Sequence, residues 1–99
     1  LDSLKKEIRF KVKRLTNQEM LVFSSIYQFE NQGHIVDYSL LSTNLGLSES
    51  SIRDYIQRII KKGMPLIKEK VNNKRVILKI PEDFKKLASL NTLIELHDL

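Results

Sequence analysis

Polar and cationic side chains that could bind nucleic acid recur at helical spacing between positions 49 and 62. At 100° per residue, the apolar residues of this stretch fall on one side and the polar residues on the other. Hydroxyl, amide and guanidinium groups hydrogen-bond to base edges in the major groove, and lysines and arginines also hold phosphates. The candidates for base contacts are Ser50, Ser51, Arg53, Asp54 and Gln57, and the candidates for phosphate contacts are Arg58, Lys61 and Lys62.

A second group of cations lies in residues 66–80, where the hydrophobic period changes from that of a helix to that of a strand. Two runs rich in β-branched residues flank Asn72-Asn73, and asparagine tolerates the positive φ of a tight turn. This pattern predicts a two-stranded β-hairpin. Because Pro65 has no N–H to donate, we expect the first strand to begin at Leu66. The hairpin cations, all candidates for phosphate contacts, are Lys68, Lys70, Lys74 and Arg75.

The sequence offers no set of residues for catalysis or for holding a cofactor. Its three glycines stand at 33, 46 and 63, which is not the spacing of a phosphate-binding loop. Cysteine is absent, and neither His34 nor His97 has acidic neighbours at metal-ligand spacing. The pair Glu82-Asp83 suits the first turn of a helix, where the helix dipole favours carboxylates. We therefore predict that the protein is not an enzyme and binds neither a metal nor a cofactor.

The chain is one domain's worth of residues with an excess of positive charge. Its 99 residues include 17 Lys and Arg against 12 Asp and Glu, which gives +5. The excess is concentrated in residues 1–15, with six basic and two acidic side chains, and in residues 49–81, with nine and three. This distribution favours a polyanionic partner. No apolar run approaches the roughly 20 residues of a membrane span, so we expect no membrane partner.

Apolar spacing and capping residues predict the elements that position these groups. The predicted helices span 2–14, 17–31, 38–45 and 49–62, with a minor strand at 34–36, a helix from 82 and a short helix around 93–96. The predicted caps are Thr16 with Glu19, Asp37 and Ser48. The apolar stripe of the first helix is Leu4, Ile8, Val12 and Leu15, and the inward residues of the helix from 82 are Phe84, Leu87 and Leu90.

The stretch 41–52 reads Leu-Ser-Thr-Asn-Leu-Gly-Leu-Ser-Glu-Ser-Ser-Ile. It resembles the helix-turn-helix of winged-helix DNA-binding domains. Their pattern is Leu-Ala-x-x-Leu-Gly-Leu-Ser, three residues and then Val or Ile, and it continues here to Ile56 and a closing Gly63. With the hairpin that follows, the resemblance covers about residues 16–88. The fold is shared by transcriptional regulators of the MarR, ArsR and Lrp types.

The resemblance implies a mainly α fold with a small β-hairpin, in the α+β class, with extra helices at both ends. It implies that helix 49–62 enters the major groove of double-stranded DNA and that the basic wing, 66–80, contacts the adjacent backbone. The sequence departs from the family pattern in two places: Ser42 replaces the usual alanine and is expected still to pack, and Met64-Pro65 opens the wing. Because of the second departure, the wing contacts are less safely transferred than the helix contacts. Further candidates for backbone contacts, from the supporting helix, are Thr43 and Asn44. The implied protein is the DNA-reading part of a transcriptional regulator, cytoplasmic, nucleoid-associated and prokaryotic.

Three segments are predicted: a basic amphipathic helix at 1–15 for linking or dimerisation, the winged helix-turn-helix domain at 16–88, and a helical tail at 89–99. Both ends carry apolar residues that a small central core does not obviously cover, which predicts a homodimer formed through them. Alternatively, the two ends cover each other within one chain, or they cover a fused or partner sensor domain outside this chain. Because the chain begins with leucine, we expect it to be part of a longer protein.

Two other functions stay open on the sequence alone. The same fold also serves as a protein–protein interaction module, or as an accessory domain of a replication initiator or an RNA-polymerase-associated factor. A protein-binding surface is expected to expose apolar or aromatic residues, whereas the outward face of helix 49–62 is polar, which favours DNA. Asp54 argues the other way. It repels phosphate unless it accepts a hydrogen bond from a cytosine amine or holds Arg53, Arg58 or Gln57 in place.

Overall fold

The computed structural model describes residues 2–72 and 74–99, apart from the side chain of Asp2, so the predictions for Leu1 and Asn73 lie outside the described residues. Over these ranges the chain is mainly helical with a small antiparallel sheet, which confirms the α+β class. No helix in this part of the chain is long and apolar enough to cross a membrane. The elements are α1 (Asp2–Arg14), α2 (Asn17–Asn31), β1 (Val36–Asp37), α3 (Tyr38–Leu45), α4 (Glu49–Lys61), β2 (Ile67–Val71), β3 (Arg75–Lys79), α5 (Glu82–Leu87) and α6 (Leu90–Asp98).

Side-chain caps start the helices where the sequence predicts. At α2 the Glu19 amide donates to Thr16 Oγ1 at 3.1 Å, and the Thr16 amide donates to Glu19 Oε1 at 2.9 Å, which completes a capping box. At the start of α3, Asp37 Oδ1 accepts from the amide three residues on at 2.8 Å. Ser48 Oγ does the same for α4 at 3.1 Å. The boundaries of these three helices are therefore encoded locally.

The connection between α3 and α4 is a tight turn of three residues, 46–48. Gly46 has a φ of +68°, a left-handed conformation that a side chain would strain. Ser42, which stands where the winged-helix pattern has alanine, donates its hydroxyl to the Leu47 carbonyl oxygen at 2.5 Å. The departure at Ser42 is thus accommodated, because its hydroxyl braces the turn rather than being buried without a partner.

The sheet has the strand order β1–β3–β2, and both pairings are antiparallel. β2 and β3 form the predicted hairpin, although β2 begins at Ile67 rather than Leu66, and Asn72 in the turn has a φ of +56°. β1 pairs with the other edge of β3 and sets Val36 opposite Leu78. Both of these residues are buried, so the short strand ties the hairpin to the helices.

The hydrophobic core draws residues from every described helix and from the sheet. Its fully buried side chains include Phe23, Ile26, Leu41, Ile52, Ile56, Ile59, Leu78 and Leu93. Phe23 meets Phe84 of α5 edge to face, with 6.3 Å between ring centroids. The prediction that Leu87 points inward is wrong, because α5 ends there and the following Ala88 is buried instead. The Ala88 carbonyl oxygen accepts from the Tyr27 hydroxyl at 2.8 Å.

The terminal helices α1 and α6 pack against each other and belong to the same core as the rest of the chain. Val12, Leu15 and Leu93 are buried, and His97 Nε2 lies 2.9 Å from the Leu15 carbonyl oxygen. The two ends therefore cover each other within one chain, and homodimerisation stays a prediction. Leu4, predicted on the apolar stripe of α1, is instead exposed, since it precedes the buried half of that helix.

Candidate nucleic-acid interface

α4 has one buried face and one exposed face, in the phase that the sequence predicts. Ile52, Ile56 and Ile59 are completely buried. Ser51 is half-buried in the first turn of α4. Its side-chain oxygen accepts a hydrogen bond from the hydroxyl of the N-cap residue Ser48 at 3.0 Å. Its hydroxyl is therefore less available to a ligand than the side chains around it. The exposed polar side chains of α4 beyond its first residue are Ser50, Arg53, Asp54, Gln57, Arg58 and Lys61.

Asp54, Gln57, Arg58 and Lys61 line one shallow depression on this exposed face. The guanidinium carbon of Arg58 lies 5.4 Å from the centre of the half-buried Tyr55 ring, so cation–π attraction holds the arginine along the helix. Among the described side chains, Asp54 forms no ion pair with either neighbouring arginine. Its carboxylate oxygens are free to accept hydrogen bonds from a ligand.

Arg53 is held in place by two partners that the sequence analysis did not assign to it. Its guanidinium carbon lies 4.9 Å from the centre of the Tyr38 ring, and its Nη2 lies 3.8 Å from Glu49 Oε1. Tyr38 is the first residue of α3 and is buried. Burial raises the pKa of its hydroxyl by more than the charge of Arg53 lowers it. Arg53 is thus presented from a fixed position next to a neutral phenol.

The four hairpin cations do not share one face of the sheet. Successive strand residues point to opposite sides, so Lys68 and Lys70 lie on the side that packs on the helices, and Arg75 lies on the other. Arg75 Nε donates to Asp37 Oδ2 at 2.8 Å, which offsets its charge. Lys74 is exposed beside the turn and has no described carboxylate within ion-pair distance. Of these four cations, Arg75 is paired, and the other three have no described carboxylate within ion-pair distance. A fifth cation of the hairpin, Lys79, pairs with Glu69 at 2.8 Å.

A cleft of about 120 Å³ lies between the first half of α4 and the start of β3. Arg53, Lys74 and Arg75 all line it, so the structure brings these three predicted site residues together. Asn44 lies elsewhere, in a depression that it shares with α2 side chains such as Gln28. Thr43 is exposed on α3 but lines none of these depressions. The predicted backbone contacts from α3 are therefore separated from the cleft.

Lys62, predicted to contact phosphate, binds groups inside the molecule instead. Its Nζ donates to Glu19 Oε1 at 2.6 Å and to the Arg14 carbonyl oxygen at 3.1 Å. Lys62 follows Lys61 by 100° of helical phase, which carries its side chain from the exposed face of α4 toward α2. It is a structural residue, and its charge is not available to a ligand.

The partner of Lys62 is a buried carboxylate. Glu19 is only 2% exposed. Burial raises the pKa of its carboxyl group, but the hydrogen bonds from Lys62 and the Thr16 amide, together with the charges of Lys62 and Arg58, outweigh burial and lower the pKa. The carboxylate is therefore ionised at neutral pH and joins the ends of α1, α2 and α4.

Sequence reasoning identified Asp37 as a helix cap but missed its second role, and it missed Tyr38 entirely. Asp37 caps α3 with one carboxylate oxygen and binds Arg75 with the other. The minor strand was an available signal, because a strand that joins the hairpin sets Asp37 beside β3. No signal in the sequence connects Tyr38 with Arg53, since the crossing of α3 and α4 sets that contact.

Comparisons of the chain with protein-family models, with curated proteins and with solved structures gave no match. Within the described ranges, no three His, Asp or Glu side chains stand close enough together to hold a metal ion.

Proposed function

We propose that this protein is a winged helix-turn-helix domain that binds double-stranded DNA and forms the DNA-reading part of a transcriptional regulator. In this proposal α4 is the recognition helix in the major groove, and the β2–β3 hairpin is the wing on the adjacent backbone. The observation that carries it is the exposed face of α4. From Ser50 to Lys61, every exposed side chain except Ile60 is polar or charged. Any sensing of an effector is assigned by this proposal to a fused or partner domain and not to these residues.

The order of the elements supports the proposed fold. The α3–α4 pair, with its tight turn at Gly46, is followed by a basic hairpin, and β1 joins that hairpin as a third strand. The cleft that contains Arg53 and Lys74 sets the hairpin beside the first half of α4. A duplex that receives α4 in its major groove has phosphates on both rims of the groove, where the hairpin cations are needed.

The charges of the interface set a quantitative expectation. Each neutralised phosphate contributes about −0.9 to the slope of log K against log salt concentration. Five such contacts predict a slope of about −4 to −5. The cations counted here, which form no ion pair with any described carboxylate, are Arg58, Lys61, Lys68, Lys70 and Lys74.

The decisive experiment is an anisotropy titration of a labelled duplex of random sequence at several salt concentrations. We expect tight binding at low salt and the steep slope given above. Lys61→Ala should flatten the slope by about one unit. The matched variant Lys62→Ala, measured where it is fully folded, should leave the slope unchanged, because Glu19 already neutralises that charge. A flat salt response, or no binding at low salt, contradicts the proposal.

Sequence reading is tested separately by selecting binding sites from a random duplex library. Gln57→Ala and Arg53→Ala should change which sequences are selected, each with a loss of about 1–3 kcal/mol on the preferred site. Lys70→Ala should weaken all duplexes alike. If the α4 variants also weaken every sequence equally, this helix holds the backbone and does not read bases.

A protein-binding function is the second candidate, and the outer face of the sheet favours it. Ile35, just before β1, is 62% exposed, and Ile67 of β2 is 43% exposed. Exposed apolar side chains of this kind are typical of protein contacts. If Ile67→Ser abolishes binding of a protein partner by the 99-residue chain while duplex binding is unchanged, this candidate is supported.

A further inference from the structure

α1 carries an exposed aromatic ring on its outer face, surrounded by cations. Phe10 is 66% exposed. Lys6, Arg9 and Lys13 line a shallow depression with it, and the guanidinium carbon of Arg14 lies 5.8 Å from the centre of its ring. Neither Arg9, Lys13 nor Arg14 has a described carboxylate within ion-pair distance. The surface formed by Lys6, Arg9, Phe10, Lys13 and Arg14 is called the Phe10 surface below.

The Phe10 surface combines two properties that a ligand must satisfy together. The cations select a polyanion, and the exposed ring offers a flat face for stacking. A nucleotide with an unpaired base has both complementary groups, a phosphate and an accessible π-face. In a duplex the base faces are covered by their neighbours, so a duplex satisfies the cations but not the ring.

Two other occupants fit the structure less well. An anionic membrane also attracts cations, but an interfacial helix inserts a broad apolar face. The apolar side of α1 is used in the core, where Val12 and Leu15 are buried. The exposed Leu4 lies about 120° from Phe10 around the helix, so the two do not form a broad apolar face that could insert. An acidic peptide satisfies the charges, yet it has no need of a stacking ring.

We infer that the Phe10 surface binds single-stranded nucleic acid, with an unpaired base stacked on Phe10 and flanking phosphates on the surrounding cations. From Lys6 to Arg14 the helix rises about 12 Å, so cations lie on both sides of Phe10 along the helix, where flanking phosphates would be. None of these residues lies on α3, α4 or the hairpin, so the inference does not depend on the proposed duplex interface. Single-stranded DNA and RNA share the chemistry that the surface recognises.

The affinity test uses the whole 99-residue chain and labelled oligothymidine and oligouridine of about 12 nucleotides. We expect salt-dependent binding that Phe10→Leu weakens about tenfold, because leucine keeps the apolar volume but loses the π-face. Phe10→Tyr should bind within about twofold of the unmodified chain, since it keeps the ring. Phe10 is exposed, so both variants are expected to fold normally. Equal affinity of the Leu and Tyr variants overturns the inference.

A spectroscopic readout reports stacking directly. The chain contains no tryptophan, so Phe10→Trp introduces a single indole at the proposed site. Its emission should be quenched when oligothymidine binds. The control Ile35→Trp places the indole at a 62% exposed position just before β1, outside α1 and the α6 helix that packs on it, where no quenching is expected. Equal quenching in the two variants, or none at Phe10→Trp, contradicts the inference.

Parallel titrations separate this inference from the proposed function. Gln57→Ala should leave oligothymidine binding unchanged, and Phe10→Leu should leave selective duplex binding unchanged. Binding to oligothymidine without binding to any duplex supports the Phe10 surface and contradicts the role of α4. Duplex binding without oligothymidine binding does the reverse. Binding to phosphatidylserine vesicles but not to oligothymidine overturns the inference in favour of a membrane surface.

Discussion

Lys61 and Lys62 are adjacent at the C-terminal end of α4, but their ammonium groups lie in two different environments. Lys61 lies on the exposed face of the helix, in the depression that contains Asp54 and Gln57. Lys62 lies at the junction of α1, α2 and α4, where buried Glu19 binds its ammonium group. The side chains are chemically the same, and 100° of helical phase separates their environments.

The comparison separates charges that stabilise the fold from charges that are available to a ligand. Removing one partner of a buried pair leaves the other desolvated and uncompensated, which is costly. An exposed lysine contributes little to stability, because water solvates it well. The number of lysines in a segment therefore overestimates its capacity to bind phosphate whenever part of the helix faces the interior.

The most destabilising change that we predict tests which face of α4 is buried. Ile56→Asp sets a charge without a partner in the core and should cost about 5 kcal/mol or more, comparable to the whole stability of a small domain. Gln57→Asp changes the next residue in the sequence, which lies on the exposed face, and should lower stability by less than about 1 kcal/mol. Thermal unfolding followed by circular dichroism distinguishes them. A cooperatively folded Ile56→Asp protein would show that the helix is rotated from the position described here.

The next prediction compares the two lysines directly. Lys62→Met keeps the aliphatic stem and removes the ammonium group from Glu19. Because the lysine is partly solvated, we expect a loss of about 2–3 kcal/mol, somewhat below the cost of breaking a fully buried pair. Lys61→Met should change stability by less than about 0.5 kcal/mol. Urea denaturation at neutral pH measures both.

The double variant Glu19→Gln/Lys62→Met tests whether the loss in Lys62→Met comes from the uncompensated charge of Glu19. It removes both charges, so it should be more stable than Lys62→Met alone. Equal losses from Lys61→Met and Lys62→Met would mean that the junction does not depend on its ion pair.

A smaller change in stability is expected when the pH is lowered, and its direction follows from the pKa of the Glu19 carboxyl group. Its pKa is lowered in the folded protein from the ordinary value of 4.5, so the unfolded chain binds this proton more readily. The stabilisation is complete above the ordinary value and is lost as the pH falls through the lowered one. Glu19→Gln should therefore be less stable at neutral pH but lose less stability on acidification to about pH 3. Glu95→Gln, at an exposed carboxylate, should follow the unmodified protein. Parallel unfolding curves of Glu19→Gln and the unmodified protein would contradict the assignment.

The α+β class and the starts of α2, α3 and α4 were predictable because their signals are local. Thr16 with Glu19, Asp37 and Ser48 cap the helices by hydrogen bonds that span three residues, and Gly46 marks a turn by its own backbone conformation. Hydrophobic periodicity and helix capping depend on residues within one or two helical turns of each other, so both can be recognised in the sequence.

The candidate site was less predictable because its determinants act across the chain. The ion pair of Lys62 with Glu19 spans 43 positions, and that of Arg75 with Asp37 spans 38. The sequence predicted a phosphate contact for Lys62, because nothing near it in the chain indicates that the carboxylate of Glu19 binds it. The exposure of Leu87 followed from the end of a short helix, which apolar spacing alone does not reveal.

The smallest effect concerns the hairpin, where Lys74 and Arg75 repeat the contrast on the surface. If the proposed wing contacts DNA, Lys74→Ala should flatten the salt slope by about one unit. Arg75→Ala should flatten the slope by clearly less, because Asp37 already offsets the charge of Arg75.

Asp37→Asn provides the matched control, since asparagine also caps helices well but carries no charge. It should leave α3 intact, free Arg75 for a phosphate and strengthen duplex binding at low salt by a few-fold, about 1 kcal/mol or less. Anisotropy titrations of the three variants at several salt concentrations measure these changes. Equal slopes for Lys74→Ala and Arg75→Ala, with no gain from Asp37→Asn, would show that the ion pair with Asp37 does not limit Arg75.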